Sequence, residues 1–432
     1  MSLQPALPRG FPGYVELLRG NADVRNIWLA QVVSQLGDWF NNVALLGLIN
    51  RLTPDPLAPA LVQTLFVLPN ALASLTIGGY LADRFDRKRL AIGVDILRAM
   101  VALALLLVRD ASGLWIAYAA IATLSLGEAL FSPALSAAQP NLCRPHELAT
   151  ANALQQSTWA SVSMLGAFLG GLATTLLGRD ISFVLNALSF LASAVFLTRV
   201  RGAFSTPGQR AASLSLRAIT EGARFLRAHP LIAGMSVSKA IWAFAFATAG
   251  LYSVYAYKIY NLGDAGTSGL LAARGIGSFL GPLIVQSAFL ISSRRQFALT
   301  LTAAFGFCIA GYGLWGATPS VWLGVLGIFI GHIGGGTLWT YSRIYVQRET
   351  PDALRGRVMA LDMVGFTLIL GVFSLVWGLV ARTATPAIGV LSGVATTAVL
   401  ALIWVIWMRR YFRAAQPSYE SGQSSGTVQQ KP

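Results

Sequence analysis

The sequence predicts an all-α membrane protein in which 12 transmembrane helices form two pseudo-symmetric six-helix bundles. Three observations support this fold class: the apolar composition, the length of the apolar runs, and one long polar stretch near the middle. Of the 432 residues, 55% are hydrophobic and 11% are charged, against roughly 25% charged in soluble proteins. Hydrocarbon offers the backbone no hydrogen-bond partner, so apolar runs of about 20 residues are expected to span it as α-helices.

Apolar runs bounded by charged and turn-forming residues define the predicted spans. They lie at 27–50, 59–82, 90–109, 113–137, 150–177, 181–198, 231–257, 266–291, 297–316, 320–346, 358–381 and 386–408. Residues 199–230 form the longest internal polar stretch and separate six spans from six. We therefore predict an N-terminal segment at 1–26, bundles at 27–198 and 231–408 joined by this linker, and a disordered tail at 409–432.

The linker and two short loops carry further patterns. The linker contains apolar residues that predict an amphipathic surface helix: Leu214, Ile219, Phe225 and Leu226. A loop that reads Pro145-His146-Glu147-Leu148 recurs 206 residues later as Pro351-Asp352-Ala353-Leu354, each time ahead of a long helix. Duplicated halves around a central site are typical of transporters.

The basic residues predict the orientation. When loops are assigned alternately to two sides, 24 of the 32 Lys and Arg residues lie on the side of both termini. Three lie within spans, and five lie on the other side: Arg51, Arg109, Arg179, Lys258 and Arg382. Cytoplasmic loops are enriched in Lys and Arg, so we expect both termini in the cytoplasm. This placement explains the net charge of +15 without a nucleic-acid partner.

Several kinds of chemistry lack their residues in this sequence. The absence of a GxxxxGKS phosphate loop, an HExxH motif and a Ser-His-Asp arrangement disfavours an ATP-driven pump or a membrane enzyme. Cys143 and Cys308 are isolated, so we expect neither a disulfide framework nor a metal site, and no cofactor. The polar N-terminus lacks the apolar core of a cleavable signal peptide.

The loop between predicted spans 2 and 3 resembles the signature loop of the major facilitator superfamily, G-x-L-a-D-R-x-G-R-k. It reads Gly78-Gly79-Tyr80-Leu81-Ala82-Asp83-Arg84-Phe85-Asp86-Arg87-Lys88-Arg89-Leu90. The residues at matching positions are Gly79, Leu81, Asp83, Arg84, Arg87 and Lys88. Asp86 stands where the family usually has glycine. The resemblance implies that this gating motif braces span 2 against span 11 in an outward-facing state, and we expect Asp95 to be an additional partner of Arg87.

Other segments are similar to the branch of that superfamily that holds siderophore and macrolide exporters. They are RNIWLAQVVSQLGDWFNNVALL in span 1, SPALSAAQPNLCRPHELATANAL at spans 4 to 5, EGARFLRAHP before span 7 and PDALRGRVMAL before span 11. Span 5 departs from the antiporter motif G-P-x-x-G-G, because Ala167 replaces the proline between Gly166 and the pair Gly170 and Gly171. The small-residue face still predicts close helix packing, while the missing proline leaves the antiporter assignment open.

The resemblance implies that spans 1, 4, 7 and 10 line a central cavity. Span 1 carries a polar stripe at helical spacing: Gln31, Ser34, Gln35, Asp38, Asn41 and Asn42. At about 1.5 Å per residue, Asp38 lies roughly 17 Å from the start of the span, close to the bilayer midplane. A charge is costly there, so Asp38 is a candidate proton-coupling residue. A structural hydrogen bond between helices is the alternative.

Span 4 carries Glu128 in a similar stripe with Ser125, Ser132, Ser136 and Gln139. Glu128 is the second candidate proton-coupling residue. Its alternative role is a salt bridge to Arg98 or Arg274. These two arginines lie inside predicted spans, and we expect them to be buried charge partners.

Spans 7 and 10 contribute the remaining cavity candidates. Lys239 and Trp242 lie on span 7, and His332 and Trp339 lie on span 10. Lys239 either lines the cavity or neutralises Asp38, and His332 either relays protons or satisfies backbone groups. Trp159 on span 5 is a further aromatic candidate, since apolar walls with a few polar groups suit an amphipathic ligand.

These patterns predict a monomeric secondary transporter in a bacterial inner membrane. We expect proton-coupled efflux of an amphipathic small molecule, such as a drug, a macrolide or a siderophore, where the substrate class follows from the resemblance. Two alternatives remain open: a uniporter or importer of another solute, and a non-transporting membrane sensor on the same fold.

Overall fold

The computed structural model describes residues 10–204, 216–288 and 294–413, apart from the side chains of 74–84 and of several single positions. Its α-helices are α1 Phe11–Gly20, α2 Ala22–Leu52, α3 Leu57–Arg84, α4 Arg87–Ala104, α5 Leu114–Leu142, α6 Leu148–Leu177, α7 Arg179–Thr198, α8 Leu216–Ala228, α9 Pro230–Phe246, α10 Tyr252–Val254, α11 Gly263–Ala288, α12 Arg294–Ala317, α13 Val321–Glu349, α14 Asp352–Thr383 and α15 Pro386–Arg413. Short turns extend α9 through α10 to Ile259.

The helical membrane fold is confirmed. Within the described residues, nine helical segments are long and apolar enough to cross a membrane. Each predicted span overlaps one long helix, and six long helices precede the linker helix α8 while six follow it. The polar stripe around Asp38 interrupts the apolar surface of α2.

Two interfaces join the helices before α8 to those after it: α3 packs against α14, and α6 packs against α11. Glycines allow these helices to approach closely. A β-carbon added at Gly171 would lie 1.8 Å from Ser268 Oγ, and one added at Gly371 would lie 2.4 Å from the Leu68 side chain. The small-residue face predicted for span 5 therefore packs as expected, with Gly171 against the other half.

Two shorter helices lie at the end of the molecule that we call the linker end, where α1 and α8 are found. The predicted amphipathic helix is α8, which packs on α14 through an ion pair between Glu221 and Arg357. The sequence did not predict α1, whose Leu17 is buried against Ala151 and Leu154 of α6. Leu214 and the tail at 414–432 lie outside the described residues.

At the opposite end, here named the far end, α2 meets α3 and α4 is followed by α5. The junctions of α6 with α7 and of α9 and α10 with α11 also lie there. The ionisable residues of α2, α4 and α5 lie between the two ends. Asp38, Arg98 and Glu128 are each near the middle of their helices. The fold thus brings three charged groups to one depth.

Candidate functional site

A charge cluster at mid-depth is centred on Arg98 of α4. Its Nη2 lies 2.9 Å from Asp38 Oδ2 on α2, and its Nη1 lies 3.3 Å from Glu128 Oε2 on α5. Asp95, one helical turn before Arg98, has its Oδ1 3.7 Å from Nη1. One guanidinium therefore faces three carboxyl groups and joins three helices. The two outer members of the cluster, Asp38 and Glu128, are 90 residues apart in the sequence.

The members of this cluster differ in their access to the surroundings. The Arg98 side chain is 2% exposed and that of Asp95 is fully buried, whereas the Asp38 and Glu128 side chains are 28% and 39% exposed. Phe190 covers the guanidinium at 4.1 Å from its ring centroid. The cluster thus has a buried base and two accessible carboxyl groups, and these two are the predicted proton-coupling residues.

The other polar residues of α2 follow the same helix face. Gln31 and Asn41 are buried, while Gln35 and Asn42 are half-buried. The aromatic candidate on α6, Trp159, is 53% exposed. These positions put polar groups on both sides of Asp38 along α2. Their role in substrate binding remains a prediction.

The second half contains a buried ion pair between Lys239 of α9 and Asp362 of α14. Both side chains are essentially without exposure, and Ser236 Oγ donates a hydrogen bond of 2.6 Å to Asp362 Oδ1. The predicted alternative, in which Lys239 neutralises Asp38, is wrong, because α9 packs against α14 and brings Lys239 to Asp362. The sequence analysis missed Asp362, although it is the only carboxylate within predicted span 11.

Aromatic rings surround this ion pair. The Lys239 ammonium lies 4.9 Å from the Trp339 ring centroid, and Trp242 stacks on Phe246 at 4.9 Å. His332 is buried beside them; its Nδ1 is 3.1 Å from the Ile328 carbonyl oxygen and its Nε2 is 3.2 Å from the Tyr312 hydroxyl. Both ring nitrogens have partners, and the choice between a structural role and a proton relay for His332 stays a prediction.

Arg274 of α11 lies where the two halves meet. Its guanidinium carbon is 4.9 Å from the ring centroid of Phe246 in its own half, and 5.6 Å from that of Trp39 in the other half. The predicted pairing of Glu128 is realised with Arg98, and Arg274 makes no ion pair within the described residues.

The gating motif is described in part. The backbone of Gly79, Asp83 and Arg84 belongs to α3, and their side chains lie outside the described residues. Lys88 Nζ donates hydrogen bonds to the carbonyl oxygens of Thr198 and Val200, at 3.1 and 2.6 Å, and so holds the end of α7.

The remaining motif residues lie around the start of α4. Asp86, the departure from the family pattern, accepts a hydrogen bond of 2.8 Å from the Arg89 amide and caps α4. Arg87, in the first turn, is buried. Asp95 is placed differently from the expectation: it belongs to the Arg98 cluster, two helical turns or about 12 Å along α4 from Arg87.

A polar network at the far end joins the two halves. Arg179 at the start of α7 pairs with Asp264 of α11 at 2.6 Å, and Tyr257 donates a hydrogen bond of 2.6 Å to Asp264. The Arg179 and Asp264 side chains are 10% and 12% exposed. Sequence reasoning missed this network, because the predicted spans excluded Arg179 and Asp264 as loop residues.

Two further contacts close the far end. Arg382 of α14 lies 3.4 Å from Asp55, and Lys258 donates a hydrogen bond to the Pro54 carbonyl oxygen. Between the halves, a cavity of about 920 Å³ adjoins the network and is lined in part by Arg179, Tyr257 and Asp264. The far end is therefore held together by ion pairs and hydrogen bonds from both halves.

Comparisons with known proteins agree with this architecture. A family model of the major facilitator superfamily, described as "Transmembrane secretion effector", matches residues 19–425. The chain is 27% identical over 430 residues to the "Enterobactin exporter EntS" of Shigella boydii serotype 18, covering 95% of this chain and 98% of that protein. It is also 27% identical over 369 residues to the "Uncharacterized MFS-type transporter YfiS" of Bacillus subtilis, covering 82% and 86%.

Solved structures show the same fold at low sequence identity. A bacterial homologue of the iron transporter ferroportin in an inward-facing state aligns with a TM-score of 0.67 and 16% identity, covering 89% of this chain and 98% of the other. A POT family transporter in complex with a thioalcohol-conjugated peptide aligns with a TM-score of 0.71 and 12% identity, covering 91% and 97%.

Proposed function

We propose, from the premise that this chain belongs to the transmembrane secretion effector family of the major facilitator superfamily, that it exports an amphipathic small molecule by proton-coupled alternating access. The chain is a multi-pass membrane transporter. Similarity to the enterobactin exporters supports export of a siderophore-like or drug-like compound. One polypeptide supplies both halves, so we propose that the monomer transports.

The Arg98 cluster is the observation that carries proton coupling. Its three carboxyl groups outnumber its single guanidinium, so with every group ionised the cluster would carry a net charge of −2. An uncompensated charge at mid-depth is costly, and a proton on Asp38 or Glu128 removes one such charge while Arg98 keeps other partners. Both carboxyl groups are partly exposed, which gives a proton a path of entry.

The closed far end supports a direction for the cycle. The linker end carries most of the basic residues, so we place it in the cytoplasm of a bacterial inner membrane. With the far end held shut by Arg179, Tyr257 and Asp264, this conformation receives substrate from the cytoplasm. A change in the protonation of Asp38 or Glu128 would then shift the population towards a state open at the far end.

The test has two steps. A deletion strain is screened for growth inhibition and accumulation across dyes, antibiotics and iron chelators to find a substrate. Everted membrane vesicles that contain the protein are then energised, and the collapse of the pH gradient on substrate addition is followed with a fluorescent pH indicator. We expect Asp38→Asn and Glu128→Gln to reduce this collapse by about tenfold or more, and their combination to abolish it.

Asp180→Asn is the matched control, because Asp180 is an exposed carboxylate paired with Arg109 at the far end. It should retain the wild-type response. If the double variant Asp38→Asn/Glu128→Gln still transports substrate in proportion to the pH gradient, proton coupling by this cluster is wrong. If no compound of the three classes changes growth or accumulation, the efflux assignment fails.

A further inference from the structure

Arg274 is a cation at mid-depth without a carboxylate. Arg98, Arg179 and Lys239 each form an ion pair with a carboxylate. Arg274, near the middle of α11, has no ion pair within the described part of the chain, and aromatic rings flank its guanidinium instead. The residue is half-buried.

A guanidinium at this depth needs a counter-charge. Arginine stays protonated in proteins, so it cannot lose its charge as a carboxyl group or a lysine can. Charged side chains within membranes pair with one another or mark a substrate pathway. Cation–π contacts offset only part of the cost of an unpaired charge. An anion from outside the chain would supply the counter-charge that the described residues do not give Arg274.

The surroundings of Arg274 favour an aromatic ligand. Phe246 stacks on Trp242 at 4.9 Å, and Phe366 lies 5.7 Å from Trp242 and 5.1 Å from Trp339 between ring centroids. Trp39 completes this set from the opposite half. Phe246, Trp242 and Phe366 are buried, whereas Trp39 and Trp339 are half-buried. A flat ring entering between the halves would therefore contact Trp39 and Trp339 first, while its acidic group reaches the guanidinium.

The charges of the two halves indicate the sign of the ligand's charge. The α4 side presents Arg98 with three carboxyl groups, whereas on the other side the one carboxylate of Asp362 pairs with Lys239, and Arg274 has no carboxylate partner within the described residues. A cationic ligand could approach Asp38 or Glu128, but those groups already have Arg98 and can take up protons. Arg274 has no such compensation among the described residues, so the arrangement favours an anion.

We propose that Arg274 binds the anionic group of the transported substrate, and that the substrate is an aromatic compound bearing a carboxylate or a phenolate. This inference rests on the proposed transport function and narrows its substrate class. It favours acidic aromatic compounds over basic drugs. The acidic group pairs with Arg274, and the ring packs against the half-buried Trp39 beside it.

The test measures binding, so it needs no proton gradient. The probes are 3-hydroxy-2-naphthoate and its uncharged amide, titrated calorimetrically into the purified full-length protein in an uncharged detergent. We expect the acid to bind at least about tenfold more tightly than the amide, as one charge-assisted pair implies. Arg274→Gln should remove this preference, and Arg274→Lys should keep part of it.

Arg144→Gln is the control, since Arg144 is an exposed arginine at the linker end. It should bind both probes as the wild type does. Equal affinity of the wild type for acid and amide, no binding of either, or undiminished binding of the acid by Arg274→Gln would each overturn the proposal. A lower melting temperature of Arg274→Gln with unchanged acid binding would show a purely structural role.

A chloride titration in gluconate buffer identifies the source of the anion. If chloride stabilises the protein through Arg274 while the acid does not bind, the partner is inorganic and the proposed substrate class is wrong. Proton-driven flux that depends on Asp38 could still be observed in that case. The binding assay and the flux assay therefore fail independently.

Discussion

Two groups of buried ionisable side chains in the described part of the chain are compensated by nearby opposite charges. Arg98 compensates carboxyl groups from three helices, and Lys239 compensates Asp362. Breaking a buried pair leaves an uncompensated charge, which costs about 3–5 kcal/mol, whereas replacing both partners by apolar residues is often neutral or stabilising. Comparing single with double substitutions can therefore show whether each of these ion pairs is structural or functional.

The Lys239–Asp362 pair is expected to be structural. Lys239→Met alone should lower the stability by about 3 kcal/mol, because it leaves the Asp362 carboxylate buried without its cation. The double variant Lys239→Met/Asp362→Leu should recover most of that loss. Denaturation by sodium dodecyl sulfate, followed by tryptophan fluorescence, measures both. Equal losses in the single and double variants would contradict the structural assignment.

Cys143 gives a prediction about pH. This free thiol lies just past α5, and burial, followed in magnitude by the charge of Glu147, raises the pKa of Cys143 to about 11. The reactive species is the thiolate, so labelling by a maleimide should be slow at neutral pH and rise about tenfold per pH unit towards that pKa. Glu147→Gln should speed labelling at any fixed pH below it, as measured by mass spectrometry.

The accessibility of Cys143 supplies the necessary comparison. Unfolding in detergent should abolish the difference between the wild type and Glu147→Gln, because the burial and the fixed distance to Glu147 are lost. Cys308 is fully buried and should remain unlabelled in the folded protein. Fast labelling of Cys143 at neutral pH would show that its surroundings are more open than the fold implies.

At the scale of elements, hydropathy predicted nearly all of the helices. A span must be apolar over about 20 residues whatever its neighbours are, so its position can be read locally. The short helix α1 was missed because its amphipathic pattern matters only once α6 is in place to cover Leu17. The extension of α9 through α10 to Ile259 lies largely within predicted span 7. The irregular turns in this extension were not predicted.

The site was predictable only where one helix carries the signal. Asp38 and Glu128 stand out within their own spans, so both were identified as candidates. A salt bridge from Glu128 to Arg98 was one of two predicted alternatives. The contact of Asp38 with the same arginine, and the pairing of Lys239 with Asp362, depend on which helices are neighbours. Residue spacing along one chain segment does not contain that information.

The far-end network is expected to stabilise the closed arrangement of α7 against α11. Asp264→Asn removes the charge that pairs with Arg179 and weakens the acceptor of Tyr257. Spin labels at Thr175→Cys and Leu262→Cys, which line the adjacent cavity from the two halves, report the far-end distance by pulsed electron resonance. We expect Asp264→Asn to increase the population of long distances by about tenfold, corresponding to about 1.4 kcal/mol.

Asp180→Asn provides the comparison for this measurement. Asp180 is also a far-end carboxylate, but its partner Arg109 belongs to the same half and both side chains are more than half exposed. An exposed pair contributes little, so its loss should leave the distance distribution unchanged. Identical distributions in Asp264→Asn and the wild type would show that other contacts hold the far end closed.

At the scale of the whole molecule, the two halves differ in the balance of their mid-depth charges. One side has the carboxyl-rich cluster of Arg98, and the other has Arg274 and Lys239 with a single carboxylate. The two sides can therefore serve different charges, with protons on Asp38 or Glu128 and an anionic substrate on Arg274. Under the proposed function, each half would then bind one of the two transported species.

This division predicts an electrogenic cycle. Export of a monovalent anion and entry of one proton both move positive charge towards the cytoplasm, so the membrane potential drives both. With two charges per cycle and about 2.3 kcal/mol per charge at 100 mV, the potential would contribute about 4.6 kcal/mol. In energised everted vesicles, collapsing the potential with valinomycin and potassium should lower the accumulation of the acid probe by about tenfold or more. An electroneutral exchanger would accumulate the acid probe to the same level without the membrane potential, as long as the pH gradient is unchanged. That result would mean that the anion and the proton do not move in opposite directions through these two sites.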